Sequence, residues 1–457
     1  MRTKVLISFL LAVTLGAVLF TGWFVWQRLY FKGRILKGYH IGNVHVGGMT
    51  PEEAFQAIST MEADELAVSS LFLEYDDGKK ITKYEFTPSQ AGAMVMAKET
   101  VDDAVAMSQN ETILQPILFG LKKKKVVISP RFRIIDKGEL SELLSKVSYY
   151  INQKPLDARF VTVSSAEKGK RKYATVIQPD REGRVLMSEK TAVALQDDLA
   201  SGRTRSRLFV KVTMPKVTTE MLKKIPDPEV IGSYTTYYGT HDSPNRIHNI
   251  YLVASFVDNT YIASGEVFSL LKPIGEFTKE RGFKEAYVIM GDELVPELGG
   301  GTCQIATTLY NAVMMADLDV MSRRNHGMYF SIYPLGRDAT VYPPYTDFKF
   351  RNNTGHPIVV QAHPFRRGLT FRIYGSPTGK SVSFTYPRLS FRSSRVTTVE
   401  PETGETVERT VQGPAFAADV VRTVMKDGRI VEREKIHSFY KLHGDKQKVK
   451  IRRKEPR

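Results

Sequence analysis

The stretch that decides the fold is Leu298-Gly299-Gly300-Gly301-Thr302-Cys303-Gln304, followed directly by IATTLYNAVMMADL over residues 305–318. Apolar residues in the second part recur at offsets of 0, 4, 7, 8 and 11, namely Ile305, Leu309, Ala312, Val313 and Ala316. This spacing is typical of one buried face of an α-helix. The pattern therefore predicts a helix that begins next to the glycines, with Cys303 in or just before its first turn.

That position gives Cys303 a possible chemical role. A helix N-terminus offers unpaired N–H groups and the positive end of the helix dipole, which favour a thiolate over a thiol. Glycines leave room beside the sulfur for a substrate backbone, and neighbouring N–H groups could stabilise an oxyanion. Cys303 is thus a candidate nucleophile. The candidate substrate-binding residues around it are Gly299, Gly300, Gly301, Thr302 and Gln304.

A nucleophilic cysteine needs a base, usually histidine, and a group that orients the base. His326 lies downstream, and Asp338 and Asp347 follow it. The same order occurs in transglutaminase-like cysteine enzymes, with the cysteine at a helix start and the other two residues on following strands. His326 is therefore the candidate base, and both Asp338 and Asp347 remain open as the orienting carboxylate. The competing interpretation is a small buried cysteine beside a tight turn, with Asp338 paired to Arg337 or Arg324.

A metal or cofactor site is not predicted. The chain has one cysteine, which excludes internal disulfides and multi-thiolate metal sites. His356 and His363 are separated by a segment that contains Pro357, which is a poor pattern for a metal site.

Four ordered motifs in residues 232–376 resemble the VanW family: GEVFSLLKPIGEFTKERGFKEAYVI from residue 265, ELVPELGGGTCQIATTLYNAV from 293, RRNHGMYFSIYPLGRDATV from 323 and TDFKFRNNTGHPIVV from 346. The resemblance implies an Arg-x-x-Asn element upstream, which Arg246 and Asn249 fit. These two residues and Arg337, in the third motif, are added to the candidate substrate-binding residues. Ser264 stands where the family usually has proline, a departure that affects a turn.

The flanking regions resemble modules that accompany VanW domains. KGYHIGNVHVGGMTPEEAFQAI, from residue 37, is similar to the peptidoglycan-binding module of Gram-positive envelope proteins. The C-terminal region resembles a glycine-marked extracellular module. The family is linked by name to vancomycin and other glycopeptide resistance clusters, so the resemblance implies a cell-wall context without a settled reaction.

The predicted fold class is α+β, a multi-domain ectodomain with one N-terminal transmembrane helix and a small C-terminal β module. Hairpins are expected around Asp77-Gly78, within Tyr173–Val185 and at Asp427-Gly428. The predicted segments are 1–33 (tail and transmembrane signal anchor), 34–125 (first α+β module), 126–220 (second α+β module, peptidoglycan-binding), 232–376 (VanW domain) and 388–457 (small β module with a basic tail).

The anchor is predicted from Val5–Trp26, an almost entirely apolar run that is long enough to cross a hydrocarbon core of about 30 Å. Trp23, Trp26 and Tyr30 would lie at the outer interface. No small-x-small cleavage site follows before Tyr30. A single-pass protein with an extracellular body is therefore expected, and a buried soluble helix is the alternative.

Charge indicates anionic partners. The formal charge is +16, and the residues from Lys441 onward are strongly basic. Anionic wall polymers or lipids are candidate partners of this tail. Nucleic acid is not expected as a partner, because the chain is predicted to be exported and has no recognisable nucleic-acid-binding motif. The leading functional hypothesis is binding of peptidoglycan or its precursors. The alternatives are a cysteine-dependent amidase, peptidase or transpeptidase acting on wall peptides, and a non-catalytic envelope scaffold.

Overall fold

A computed structural model of the protein describes residues 13–23, 25–26, 32–66, 70–110, 125–167, 170–239, 241–290, 293–399, 406–441 and 448–453. The chain divides into two compact units. Unit 1 consists of Met1–Pro155 and Glu182–Met214, and unit 2 consists of Leu156–Arg181 and Pro215–Arg457. Both units contain helices and β-sheets, so the α+β, multi-domain part of the predicted fold class is confirmed.

The predicted transmembrane signal anchor is wrong. Among the residues that the structure describes, no helix combines the length and the apolar character needed to cross a bilayer. Residues 5–12 and 24 of the predicted run lie outside the described residues. The predicted single-pass membrane localisation is wrong for the same reason.

Up to Met214 the elements alternate between short strands and helices. They are β1 (Tyr39–Ile41), β2 (Val44–His45), α1 (Pro51–Ser59), α2 (Ala63–Leu66), β3 (Leu71–Asp76), β4 (Ile81–Phe86), a 3₁₀ turn (Ser89–Ala91), β5 (Ala93–Val95), α3 (Ala97–Gln109), β6 (Val126–Ile128), β7 (Phe132–Ile134), α4 (Lys137–Ile151), β8 (Arg159–Glu167), β9 (Lys170–Gln178), β10 (Gly183–Leu186), α5 (Ser188–Ala200), β11 (Arg205–Arg207) and β12 (Val210–Thr213).

Helix starts in unit 1 follow local sequence signals. The Thr50 side chain accepts from the N–H of Glu53, and the Glu53 carboxylate accepts from the N–H of Thr50 at 2.8 Å, which forms a capping box before α1. Pro51 occupies the first turn, where its missing N–H costs nothing. The Asp136 side chain caps α4 by accepting from the N–H groups of Gly138 and Glu139.

Sheets in unit 1 are small and join distant segments. Strand β1 pairs antiparallel with β2 and parallel with β6, while the β3–β4 hairpin gains β11 as a parallel neighbour. Two hydrophobic clusters fill the unit, one around Ile41 and Ile58 and the other around Leu73 and Leu144. The predicted β3–β4 hairpin is confirmed.

Unit 2 contains β8, β9 and every element after Met214. These are α6 (Thr219–Leu222), β13 (Glu229–Tyr237), α7 (Pro244–Val257), β14 (Thr260–Ile262), β15 (Val267–Ser269), α8 (Leu271–Ile274), β16 (Glu285–Met290), β17 (Glu293–Leu298), α9 (Thr302–Met315), β18 (Asp319–Ser322), β19 (Lys349–Arg351), β20 (Ile358–Phe365), β21 (Gly368–Gly375), β22 (Lys380–Phe384), β23 (Arg388–Val399), β24 (Thr406–Lys426), β25 (Arg429–Lys441) and β26 (Lys448–Arg453).

The helix predicted after the glycines is α9, and it is the central element of unit 2. It packs with α7 against a sheet of order β13-β21-β20-β14. Nearly all its residues are buried, including polar Thr307 and Asn311, whose side chains bond the carbonyl groups of Ala339 and Arg337. These bonds explain why α9 is buried on more sides than its apolar stripe predicts, because a buried polar group is tolerated when it is hydrogen-bonded.

The C-terminal strands form a sheet in which β24 pairs with β22, β23, β25 and β26. The predicted hairpin is present, with Asp427 and Gly428 at positive φ between β24 and β25. Val420 and Ile436 belong to the same hydrophobic core as α9. This sheet is therefore part of unit 2.

The hairpin predicted within Tyr173–Val185 is wrong. Strand β9 pairs instead with β8, and β10 pairs with β12. Phe160 of β8 stacks on Tyr374 of β21, with 5.3 Å between ring centroids, which fixes the β8–β9 hairpin in unit 2. The two units therefore divide the predicted 126–220 module.

Candidate active site

Cys303 lies in the first turn of α9, as predicted. Gly301 precedes the helix with a φ of 107°, a backbone conformation that glycine adopts at little cost. The Cys303 Sγ atom is half-buried and lies 3.2 Å from Thr340 Oγ1 and 3.6 Å from the Val341 carbonyl oxygen. The N–H of Cys303 has no acceptor among the described residues. This N–H is therefore available to a substrate oxygen beside the sulfur.

His326 lies between Cys303 and Asp338. Its Nδ1 is 2.6 Å from Asp338 Oδ2, and its backbone N–H donates to the same oxygen at 2.7 Å. The imidazole also lies close enough to Cys303 to affect the pKa of the thiol, and Nε2 is the ring nitrogen that Asp338 leaves free. Both His326 and Asp338 lie in the segment between β18 and β19, outside the strands on which the transglutaminase-like comparison placed them. The structure thus brings Cys303, His326 and Asp338 together.

Asp347 does not face the histidine. Its carboxylate accepts from Ser269 Oγ at 2.6 Å and from the N–H of Leu271 at 3.0 Å, at the start of α8. Lys349 lies 3.8 Å away. Asp347 therefore stabilises a short helix, and Asp338 is the carboxylate that orients His326.

Asp338 is held from two further directions. Arg323 donates to its backbone oxygen at 2.7 Å and lies 3.4 Å from Oδ1. The Tyr440 hydroxyl, on β25, donates to Oδ1 and accepts from the N–H of Gly336. Because these contacts take up the carboxylate on the side away from His326, they fix its orientation toward the imidazole.

The pKa values of Cys303 and His326 are those expected of a thiolate–imidazolium pair. Burial raises the pKa of the Cys303 thiol, but the hydrogen bond and charge of His326 outweigh burial and lower that pKa to about 7. Burial lowers the pKa of His326, but hydrogen bonds to Asp338 and Cys303 raise it to about 9. Burial raises the pKa of Asp338, and the bond from His326 more than offsets this and keeps Asp338 ionised. Between pH 7 and pH 9 the reactive charge-separated pair is therefore favoured.

A cavity of about 500 Å³ opens on Cys303 and His326. Tyr333 stacks on the imidazole with 5.1 Å between centroids, and Phe330 meets its edge at 5.6 Å. Tyr333 and Arg246 line the same cavity. These rings cover one face of His326 and leave the sulfur facing the cavity.

Gly299, Gly300 and Gly301 line the cavity. At Gly299 and Gly300, close packing against other residues also explains why the position holds glycine. A Cβ on Gly299 would lie 2.3 Å from the Phe277 ring, and one on Gly300 would lie 2.8 Å from Ala286. Larger residues would displace the loop that leads into α9. These glycines therefore place the loop as well as leaving space for a substrate.

The remaining predicted binding residues take up other positions. Gln304 is buried and joins Arg246 to the Thr236 hydroxyl. Asn249 is buried and donates to the Gly300 carbonyl at 3.0 Å, and the Thr302 hydroxyl donates to the Gly299 carbonyl at 2.6 Å. The contacts of Asn249 and Thr302 stabilise the backbone of Gly299 and Gly300.

Arg337 lies outside the cavity walls, with its guanidinium over the Phe384 ring at 4.2 Å. Arg246 lines the cavity, but Asp242 and Gln304 occupy its guanidinium. In the described ranges, no three His, Cys, Asp or Glu side chains come together in a way that could hold a metal.

Sequence reasoning missed several residues that shape the site. Thr340 contacts the sulfur, Tyr333 covers the base, and Arg323 and Tyr440 hold Asp338. The aromatic run after His326 is a local signal that could have indicated a covered imidazole. Tyr440 has no such signal, because it is 102 positions from Asp338 in the chain.

Comparison with known proteins agrees with the motifs. Residues 245–374 match the family model "VanW like protein", and residues 84–207 match "Putative peptidoglycan binding domain". "Uncharacterized protein YoaR" of Bacillus subtilis (strain 168) is 36% identical over 162 residues. That alignment covers 35% of this chain and 53% of the relative, so it spans about half of the relative's length.

No solved structure matches the chain. The two family matches place a VanW-like domain around Cys303, His326 and Asp338, and a domain of the peptidoglycan-binding family before it in the sequence.

Proposed function

We propose that unit 2 catalyses cysteine-dependent acyl transfer on peptide bonds of peptidoglycan. The observation that supports this most directly is the hydrogen-bonded His326–Asp338 pair beside Cys303 at the wall of a cavity. A structural cysteine would need neither an oriented histidine nor a lowered pKa. A non-catalytic envelope scaffold would not require this arrangement of Cys303, His326 and Asp338.

In the first half-reaction, the Cys303 thiolate attacks the carbonyl carbon of a substrate amide. The N–H of Cys303 donates to the carbonyl oxygen as negative charge develops on it. When the carbon–nitrogen bond breaks, the imidazolium of His326 gives its proton to the departing amine. The products are a free amine and a thioester between the acyl group and Cys303.

In the second half-reaction, a nucleophile attacks the thioester. Neutral His326 takes a proton from that nucleophile, and Asp338 stabilises the imidazolium that forms. The carbon–sulfur bond breaks and the thiolate is restored. With water as nucleophile the protein is a peptidase or amidase, and with an amine of a second wall peptide it is a transpeptidase.

Peptidoglycan is supported as the substrate by the accompanying domain. Residues 84–207 match a peptidoglycan-binding family, and most of them lie in unit 1. The net charge of +16 also favours anionic wall polymers as additional contacts, which would weaken as salt is added. In this proposal unit 1 holds the wall polymer and unit 2 acts on its peptides.

The proposal is tested by mixing the full chain with purified peptidoglycan fragments and measuring its intact mass. A covalent adduct on Cys303 that hydroxylamine removes is expected for the native protein and absent from Cys303→Ala. Asp338→Asn should slow adduct formation, because the imidazolium loses its partner. Asp347→Asn is the matched control, since that carboxylate binds Ser269 and Leu271 instead.

The fate of the acyl group then separates the two reaction types. Released peptides indicate hydrolysis, whereas a product that joins two fragments indicates transfer to an amine. Binding of fragments by all variants without any adduct or product would contradict the enzymatic proposal and leave peptidoglycan binding as the function of the chain.

A further inference from the structure

Two arginines line the reaction cavity, and their surroundings differ. Arg246 donates to the Asp242 carboxylate at 2.5 Å and to the Gln304 amide oxygen at 2.9 Å. Arg324 lines the same cavity, is exposed to solvent, and has no ion pair or side-chain hydrogen bond to any residue within the described ranges. The charge of Arg246 is therefore compensated inside the protein, while that of Arg324 is not.

Arg324 also differs from its neighbour in the chain. The Arg323 side chain is mostly buried and bonds Asp338 and Ser438. Arg324 is anchored through its backbone, since its carbonyl oxygen accepts from the N–H of Thr340 at 2.8 Å. The Thr340 hydroxyl in turn lies 3.2 Å from Cys303 Sγ. Arg324 is thus fixed next to the residue that contacts the nucleophile, with its guanidinium unoccupied.

The charges in the cavity wall leave Arg324 uncompensated. Asp242 offsets Arg246, and the Cys303 thiolate offsets protonated His326. A guanidinium presents a planar pair of donors that matches the two oxygens of a carboxylate. The cavity therefore suits a substrate that carries a negative group close to the bond that is cleaved.

We propose that Arg324 is a specificity-determining residue that binds a free carboxylate of the peptide substrate. This rests on the proposed acyl transfer for its role in the reaction. The site then selects peptides with a carboxylate near the reacting amide over peptides in which that carboxylate is amidated. Because the contact is a binding interaction, it can be measured with or without the chemistry.

The first experiment measures binding alone. The full chain with Cys303→Ala is titrated into a fluorescein-labelled peptidoglycan stem peptide with a free C-terminal carboxylate, and into the same peptide ending in a carboxamide. About tenfold tighter binding of the carboxylate is expected, as for a charge-assisted contact at a solvated site. Adding Arg324→Gln should remove this preference by weakening only the carboxylate peptide, and Arg324→Lys should restore part of it.

Arg366→Gln in the same background is the matched control, because Arg366 is an exposed arginine outside the cavity wall. It should leave the preference unchanged. Equal binding of the two peptides by the parent protein, or an undiminished preference in Arg324→Gln, would overturn the proposal for Arg324.

A second measurement tests the acyl transfer separately from carboxylate binding by Arg324. The rate of adduct formation on Cys303 is compared for the two peptides with the native chain and with Arg324→Gln. A carboxylate preference in binding without any adduct would uphold Arg324 and reject the acyl transfer. Adduct formation at equal rates from both peptides would uphold the acyl transfer and reject Arg324.

Discussion

Cys303 differs from a buried structural cysteine in its electrostatic surroundings. His326 supplies a positive charge to the sulfur, and Asp338 supplies the negative charge that keeps His326 protonated. Cys303 is partly buried and lines a cavity. A helix start by itself would produce a smaller pKa shift, so the reactivity of Cys303 depends on residues in a different segment of the chain.

The pH dependence of the thiol follows from these pKa values. Alkylation of Cys303 by iodoacetamide should rise with pH around a midpoint near 7, because deprotonation of the thiol controls it. Substrate turnover should rise over the same range and fall above about pH 9, where His326 loses the proton that the departing amine needs. The two profiles are measured by mass spectrometry and by product release. Coincident profiles with no decline at high pH would contradict an imidazolium acid.

Asp338→Asn should shift the alkylation profile in a defined direction. Without the carboxylate, burial lowers the pKa of His326, so the positive charge beside the sulfur is lost at neutral pH. The pKa of Cys303 then rises toward its ordinary value of 9.0 and labelling at pH 7 slows. Asp347→Asn should keep the native midpoint. A shift of similar size in both variants would mean that Asp338 does not act through His326.

At the scale of elements, the loop between β17 and α9 depends on close contacts of its glycines. Gly299 has a φ of 89°, and a Cβ there would meet the Phe277 ring at 2.3 Å. Gly299→Ala should cost about 1–2 kcal/mol of folding free energy for the left-handed backbone, and about 1–3 kcal/mol more for displacing the ring. Gly355→Ala isolates the first cost, because Gly355 has a φ of 83° with open space around it.

Thermal unfolding of the two variants measures the difference, and Cys303 labelling reports whether the helix start has moved. Equal losses of stability in Gly299→Ala and Gly355→Ala would show that the loop yields to the added methyl group. The glycines would then serve mainly as open space for a substrate.

Strand β25 contributes Tyr440 to the candidate active site. Tyr440→Phe removes one hydrogen bond to a buried carboxylate and leaves the N–H of Gly336 without its acceptor. Turnover should fall about 10- to 100-fold, since a hydrogen bond to a charged group contributes about 1.5–3 kcal/mol and each 1.4 kcal/mol is a factor of ten in rate. The Cys303 alkylation midpoint should rise by less than in Asp338→Asn.

Tyr329→Phe is the control for Tyr440, because its ring packs against Tyr440 and its hydroxyl does not bond Asp338. It should turn over substrate at the native rate. Native turnover and an unchanged alkylation midpoint in Tyr440→Phe would restrict β25 to a role in folding.

Local patterns in the sequence predicted local structure well. Helix α9 and the Asp427-Gly428 hairpin each depend on residues a few positions apart, and each is confirmed. The choice between Asp338 and Asp347 could not be made in this way, because it depends on which loop folds back onto His326. Hairpin β8–β9 was missed for the same reason, since a turn signal does not identify the partner strand.

At the scale of the whole molecule, the chain passes between the two units more than once. It leaves unit 1 after Pro155, returns at Glu182 and leaves again after Met214. The segment between the first two points carries β8 and β9, whose residues pack on β20 and β21 in unit 2. The region that matches the peptidoglycan-binding family therefore includes a hairpin that belongs to unit 2.

This division predicts where a core mutation acts. Phe160→Ala should destabilise unit 2 by about 3–5 kcal/mol, because Phe160 is buried against Tyr374 and its backbone oxygen accepts from Gln361. Hydrogen exchange followed by mass spectrometry should show faster exchange in β20 and β21, while α4 and α5 keep their protection. Phe132→Ala, buried among residues of unit 1, should produce the reverse. Faster exchange of α4 and α5 in Phe160→Ala would instead assign β8–β9 to unit 1.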